Sequence, residues 1–445
     1  MDSAGISEAS GAAVVWSTRG STRATIRFPA RLAWFWIGLL TLTNVASYTD
    51  RMALAVLAPA VKQDLVLSDS QLGLLTGFAF SLFYGCCGLP IARWADRGVR
   101  RNIVVLALAT WSLMTALSGA AHNFLSLFAA RVGIGVGEAG CLPTSQSMIC
   151  DFVPPAVRPK AFAINNLGNY AGITLGIALT GSLAALVGWR LAFVIIGLPG
   201  FVLALAIWLL IPEPTRGNFD DANEPAAAPL IDTIVVLWRC KPYRYLTVFY
   251  ALTGFVSMGL NQWWPSYFTR IFHLTPKALG LYLGAAIGAG SATGSLLGGF
   301  FAEKLQSRQG KLPLLVGAMA TLGALPTALG ALATDSAFVS LSLIAATGFF
   351  LSVSNGPVIA TAYTVVPAGM RATAGSINVF SASVIGFGGG PLCVGIVSDW
   401  LAPSYGADSL RYALISPMLA IPFIALLICL AARALPPSPC RPKLP

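Results

Sequence analysis

The chain has 445 residues, of which 56% are hydrophobic and only 10% charged, and it carries a net charge of +11. Soluble globular domains are about a quarter charged, so this balance excludes that class. The positive charge does not read as nucleic-acid binding, because it sits in short loops between apolar stretches and forms no basic domain face.

Residues 1–28 lack a basic start followed by an apolar run, so they read as a disordered cytoplasmic tail rather than a cleaved signal peptide. Twelve apolar stretches follow, near 32–60, 70–92, 102–121, 124–150, 160–187, 189–211, 244–268, 277–302, 311–333, 337–366, 371–398 and 410–433. Each has about the twenty residues that cross a hydrocarbon core roughly 30 Å thick. A soluble core cannot bury twelve helices that are apolar all round. The longest break, 212–243, carries Asp220, Asp221 and Glu224 and splits the chain into bundles at 29–211 and 244–434. Within this cytoplasmic linker, residues 229–238 predict a short amphipathic helix. Residues 435–445 form a second disordered tail. The expected fold is an all-α membrane protein of twelve transmembrane helices in two pseudo-symmetric six-helix bundles, with both termini cytoplasmic.

Most of the 28 lysines and arginines fall on the side of the termini, whereas the opposite loops hold Lys62, Arg190, Arg270, Lys277 and Arg411. That asymmetry is the positive-inside signal, and it attracts anionic headgroups. Of the eight cysteines, six lie in apolar stretches and Cys240 and Cys440 on the cytoplasmic side, so no disulfide is expected.

The two halves echo each other. Pro154-x-x-x-Arg158-x6-Asn165 recurs as Pro367-x-x-x-Arg371-x6-Asn378, and Ala92-x-x-x-Asp96-Arg97-Gly98-x-Arg100-Arg101 recurs partially as Gly299-x-x-x-Glu303-Lys304. Internal duplication of this kind marks secondary transporters, with sites between the repeats. The Asp96 loop resembles the signature loop of the major facilitator superfamily, Gly-x-x-x-Asp-Arg-x-Gly-Arg-Arg, with Ala92 keeping the first position small. The resemblance implies that Asp96, Arg97, Arg100, Arg101, Glu303, Lys304, Arg158 and Arg371 govern conformational gating.

Four ionisable residues stand at mid-membrane depth: Asp50 and Arg51 in the first stretch, Arg131 and Glu138 in the fourth. A charge there costs roughly 3 kcal/mol on insertion scales, which marks a functional site. Arg131 and Glu138 share one helix face about 10 Å apart along the axis. Asp50 and Arg51 point about 100° apart, so cross-helix pairs such as Asp50 with Arg131 or Arg51 with Glu138 are the economical arrangement. Burial favours the neutral acid and a neighbouring guanidinium favours the carboxylate, so a conformational change that moves the arginine makes a proton switch. Ser47-Tyr48-Thr49-Asp50-Arg51 and Arg131-Val-Gly-Ile-Gly135-Val-Gly137-Glu138-Ala139-Gly140 resemble the Spinster family of lipid transporters and its bacterial relatives. That resemblance implies proton sensing by Asp50 with help from Glu138. It also implies lysophospholipid or sphingosine-phosphate substrates. The Tyr-x-Asp-Arg element occurs in anion:cation symporters as well.

For the substrate cavity the sequence offers Tyr48, Asn165, Asn166, Asn169 and Tyr170 from one half and Asn261, Gln262, Trp263, Trp264, Asn355 and Asn378 from the other. Trp263 and Trp264 also suit an interface belt. Glycine rows, Gly168-x3-Gly172-x3-Gly176 and Gly386 to Gly390 with Pro391, predict close helix contact and a bend.

The expected function is proton-coupled secondary transport of an amphipathic anion by rocker-switch alternating access, in a monomer in the cell membrane. The alternative is a proton-linked symporter of small organic anions. Partners are the substrate, protons and membrane lipid, with no nucleic acid and no cofactor. His122 and His273 have no metal-ligand spacing around them, and no phosphate-binding Gly-x4-Gly-Lys-Ser/Thr loop occurs, so neither an enzyme nor ATP-driven transport is expected.

Overall fold

The computed structural model describes residues 13–14, 26–27, 29–154, 157–219, 230–306, 311–366 and 370–435. Near the amino terminus, Ala13–Val14 pairs antiparallel with Ile26–Arg27; everything else regular is helical.

The amino-terminal half contains α1 (Ala30–Leu65), α2 (Asp69–Thr76) leading into α3 (Phe78–Arg97), α4 (Arg100–Ser118), and α5 (Phe124–Ala139) leading into α6 (Cys141–Phe152). Its last helix, α7 (Arg158–Leu210), holds two rods that fold back at Gly188, where φ is 76°. A left-handed φ favours glycine, which is why the reversal sits there. Helix α8 (Leu230–Arg239) lies in the linker, over the stretch read as amphipathic.

The second half contains α9 (Lys241–Asn261) leading into α10 (Trp264–Ile271), α11 (Pro276–Gln306), α12 (Leu312–Ala333), and α13 (Ala337–Val353) leading into α14 (Asn355–Thr364). Then α15 (Arg371–Ser381) runs through a π-helical segment, Ala382–Gly388, into α16 (Gly389–Tyr405). The last rod is α17 (Ser409–Ala413), α18 (Ile415–Met418) and α19 (Ile421–Ala434).

Among the described residues, eight stretches are by themselves long and apolar enough to span a membrane, and one of them, the 51-residue Lys160–Leu210, is the double rod. The rods α1, α9–α10 and α11 complete the twelve. Polar side chains in the first and glycines in the last dilute their hydropathy.

Local sequence places the breaks. Ser68 caps α2 reciprocally with Gln71, and Asn123 caps α5 with Ser126. Where α7 meets α1, a Cβ on Gly172 would stand 2.6 Å from the Val45 carbonyl oxygen, so only glycine allows that approach. The expected bend near Gly386 is the π segment, a common device at functional sites.

One expectation fails. Cys240, just before α9, is disulfide-bonded. Charge placement had put Cys240 and Cys440 in a reducing compartment, and a compartment argument says nothing of which cysteines meet.

Candidate functional site

All four mid-membrane charges are buried: Asp50 is 2% exposed, Arg51 8%, Arg131 1% and Glu138 2%. Long side chains of α1 and α5 reach one another so that both economical pairs form. Arg51 Nη2 and Nε donate to Glu138 Oε2 at 2.6 and 2.8 Å, and the Ser47 hydroxyl donates to the same oxygen at 2.8 Å. The other pair is looser. Arg131 Nη1 stands 3.9 Å from Asp50 Oδ2, while Thr115 of α4 donates to Asp50 Oδ1 at 2.7 Å.

Aromatic rings hold the two guanidiniums apart. Arg51 lies 4.9, 4.6 and 5.0 Å from the ring centres of Tyr48, Phe80 and Tyr84. Phe80 also faces Arg131, at 5.7 Å. Ring faces are negative, so this cage stabilises cations that lipid would penalise. Among the described residues, Glu138 Oε1, Asp50 Oδ2 and Arg131 Nη1 have no hydrogen-bond partner. Buried polar atoms are seldom left so, and spare acceptors here give a proton somewhere to bind.

Glu138 and Arg51 border a cavity of about 150 Å³ between the halves. Its amino-terminal wall adds Asn44, Ser47, Tyr48 and Tyr84, and its opposite wall is Val379, Ala382, Ser383 and Phe387, on and beside the π segment. One wall is charged and hydroxylated, and the other is mainly apolar.

At the end of the bundle distal to the termini, a second charge cluster joins the halves. Asp69, heading α2, accepts from Lys62 at 2.5 Å, from Arg270 at 2.5 and 2.7 Å and from Ser398 at 2.7 Å. Asp399 accepts from the Asp69 and Ser70 backbone N–H groups at 2.9 and 2.7 Å and from the Ser70 hydroxyl at 2.6 Å. A carboxylate at a helix amino terminus meets its positive dipole end and its free N–H groups. Below this lock the backbones touch, since a Cβ on Gly77 would lie 2.5 Å from the Gly388 carbonyl oxygen. Sequence reasoning missed all of it. The only hint was Ser68 capping Gln71, which places Asp69 at a helix start.

The residues expected to govern gating sit at the other end. Arg100 is buried within the first half, bonded to Asp151 at 2.6 Å, Ser147 at 3.0 Å, Glu213 at 3.0 Å and the Pro214 carbonyl at 2.8 Å. Arg101 N–H donates to Glu213, and Arg158 to the Cys150 carbonyl. Arg97 is exposed, and Lys304 lies 5.7 Å from the Phe300 ring centre. The side chains of Asp96, Glu303 and Arg371 lie outside the described residues.

Of the residues expected in the substrate cavity, Tyr48 lines it, and Asn261 lines a separate, smaller one. Trp263 is 2% exposed and donates its indole N–H to the Pro391 carbonyl at 2.9 Å, so it is neither cavity wall nor interface belt. Asn378 accepts from Thr247 at 2.9 Å, tying α15 to α9. Asn166 is exposed, and Asn169, Tyr170 and Asn355 line neither cavity. Asn165, also expected at the cavity, meets α1 instead, its Oδ1 accepting from Asn44 at 2.8 Å.

Two six-helix bundles meeting at a central cavity with buried charges on one wall define a multi-pass membrane transporter. The chain belongs to the Major Facilitator Superfamily, whose family model matches residues 40–391. It is 31% identical over 395 residues to an MFS-type efflux pump of Mycolicibacterium smegmatis, covering 87% of this chain and 90% of that protein. It is 27% identical over 378 residues to a probable L-galactonate transporter of Escherichia coli, covering 81% and 82%. It is 26% identical over 380 residues to the protein spinster of Drosophila melanogaster, covering 83% and 62%. A crystal structure of a bacterial homolog of the human lysosomal transporter Spinster, inward-facing and unoccupied, superposes with a TM-score of 0.83 at 27% identity, covering 92% of this chain and all of that one.

Proposed function

We propose that this transporter is proton-coupled and moves an amphipathic, anionic, lipid-like substrate of lysophospholipid or sphingosine-phosphate type. It works as a monomer by rocker-switch alternating access, with both termini in the cytoplasm. The observation that carries the reading is the two-faced cavity: Arg51 and Glu138 on one wall, Val379, Ala382 and Phe387 on the other. An anionic headgroup suits the guanidinium, and an acyl chain suits the apolar wall.

The chemistry follows from the pairing. Glu138 holds Arg51 through a single oxygen, so a proton on Glu138 weakens that pair and frees the guanidinium for an anion. Asp50 lies outside the cavity, against Arg131, and a proton there releases Arg131 from the looser pair. Both acids thus report on one helix, α5, which carries Arg131 and Glu138. Proton sensing by Asp50 makes substrate flux depend on a pH gradient. The test is substrate-driven proton movement in proteoliposomes for the wild type and for Asp50→Asn; unchanged pH-dependent flux in the variant overturns the assignment.

A second reading, a proton-linked symporter of small organic anions, is favoured by the modest cavity and by the sugar-acid transporters among the relatives. Ligands that bind the folded state raise its melting temperature. Stabilisation by lysolipids but not by galactonate favours the first reading, and the converse favours the second.

A further inference from the structure

Hydroxyl side chains in apolar helices usually donate to a carbonyl one turn back. Thr76, Thr174, Thr247 and Thr321 do so here. Hydroxyls that do not, such as Ser81, Ser112, Thr144 and Thr180, are spread through the fold, and one group of them shares a cavity. A cavity of about 40 Å³ lies between α9, α11 and α13, and Ser257, Asn261, Ser291 and Ser352 line it. Among the described residues, none of these four side chains has a hydrogen-bond partner. Ser352 is buried, at 7% exposed, and Ser257, Asn261 and Ser291 are half-buried around it. Polar groups at this depth carry a desolvation penalty unless something satisfies them.

The chemistry of the lining selects the occupant. No charged residue borders the cavity, so a carboxylate or ammonium would enter without a counter-charge. Serine hydroxyls and an asparagine amide both donate and accept, which matches hydroxyl groups. Trp264 with Leu260 and Ile287 supplies apolar faces for C–H bonds. At roughly 10–15 Å³ per water, the space suits a few waters or one hydroxymethylene unit. The place also fits. Gln262, next to Asn261, reaches the Arg51 carbonyl at 3.5 Å and so ties the end of α9 to the helix that carries the anion-binding guanidinium.

Resting on the transporter reading above, we propose that this cavity receives an uncharged, hydroxyl-bearing part of the transported molecule while Arg51 holds its anionic part. The substrate is then a hydroxylated anion, either a soluble sugar acid or a lipid with a glycerol-bearing headgroup.

Matched ligand pairs test it on the purified full chain: galactonate against hexanoate for the soluble source, lysophosphatidylglycerol against lysophosphatidic acid for the lipid source. Affinities are read by thermal stabilisation in wild type and in Ser291→Ala/Ser352→Ala. The hydroxylated member of one pair binds roughly tenfold more tightly in the wild type, as expected for one or two buried hydrogen bonds. In the double variant that preference collapses to within about twofold. The pair that shows the preference identifies the source. Equal binding of both members by the wild type overturns the subsite but leaves the anion reading standing. A preference that persists in the variant while both affinities fall together marks a structural role and also overturns it. Binding by no member of either pair overturns the subsite and the substrate reading together.

Discussion

Arg51 and Glu138 meet at 2.6 Å across α1 and α5, whereas Asp50 and Arg131, on the same two helices, stand 3.9 Å apart. The two pairs therefore respond differently to the loss of a partner. Breaking a buried pair leaves an uncompensated charge and costs about 3–5 kcal/mol, while replacing both partners by apolar residues is far milder. Glu138→Met should lower the melting temperature in detergent more than Asp50→Asn does, because Asp50→Asn keeps a hydrogen-bond acceptor for Thr115. Arg51→Met/Glu138→Met should recover most of the loss. A double variant less stable than Glu138→Met would show that the aromatic cage, and not the carboxylate, holds Arg51.

The distal lock should yield to a single neutralisation. Asp69 gathers Lys62, Arg270 and Ser398, so Asp69→Asn removes the charge that unites residues from both halves. Spin labels at Val66 and Tyr405, both exposed at the distal end, report the separation there. Their distance distribution should shift to longer values in Asp69→Asn. An unchanged distribution would mean that the backbone contacts below hold the end shut without the charges.

The seam between α11 and α13 is set by glycine. A Cβ on Gly294 would fall 2.2 Å from the Phe349 carbonyl oxygen, and one on Gly298 2.3 Å from that of Val353. Backbone cannot yield as a side-chain tip does, so Gly294→Val should lower thermal stability and the monodisperse fraction in size-exclusion chromatography. Gly299→Ala, where a Cβ meets nothing within 4 Å, is the matched control and should behave as wild type.

Phe80 separates two like charges. Removing its ring by Phe80→Leu keeps apolar volume but deletes cation–π contacts with both Arg51 and Arg131. The expected loss is about 0.5–2 kcal/mol. Comparing melting temperatures of Phe80→Leu and Phe80→Tyr checks this, since tyrosine retains the ring and should stay near wild type.

The sequence made the charged half legible and left the polar positions of the other half obscure, for a physical reason. Asp50, Arg51, Arg131 and Glu138 stand out because lipid penalises charge, and their spacing left few ways to pair. The lock was invisible because Asp69 and Asp399 lie 330 residues apart and each looks like an ordinary loop-end acid. The lone polar residues are harder to place for another reason: when a helix is apolar on all sides, nothing in its pattern says which way such a residue is rotated. Asn165 and Asn166 differ by one position, and that single step of about 100° decides which of them meets α1.

The polar bonds described between the halves gather at the distal end and around Gln262, not at the end bearing the termini. Tilting the bundles the other way therefore begins with pulling charges apart and rewetting them, a task that water from the distal compartment assists. Salt dissolved on that side competes with Arg270 and Lys62 for Asp69 and lowers the barrier. The transporter's turnover should then sense the ionic strength of the distal compartment.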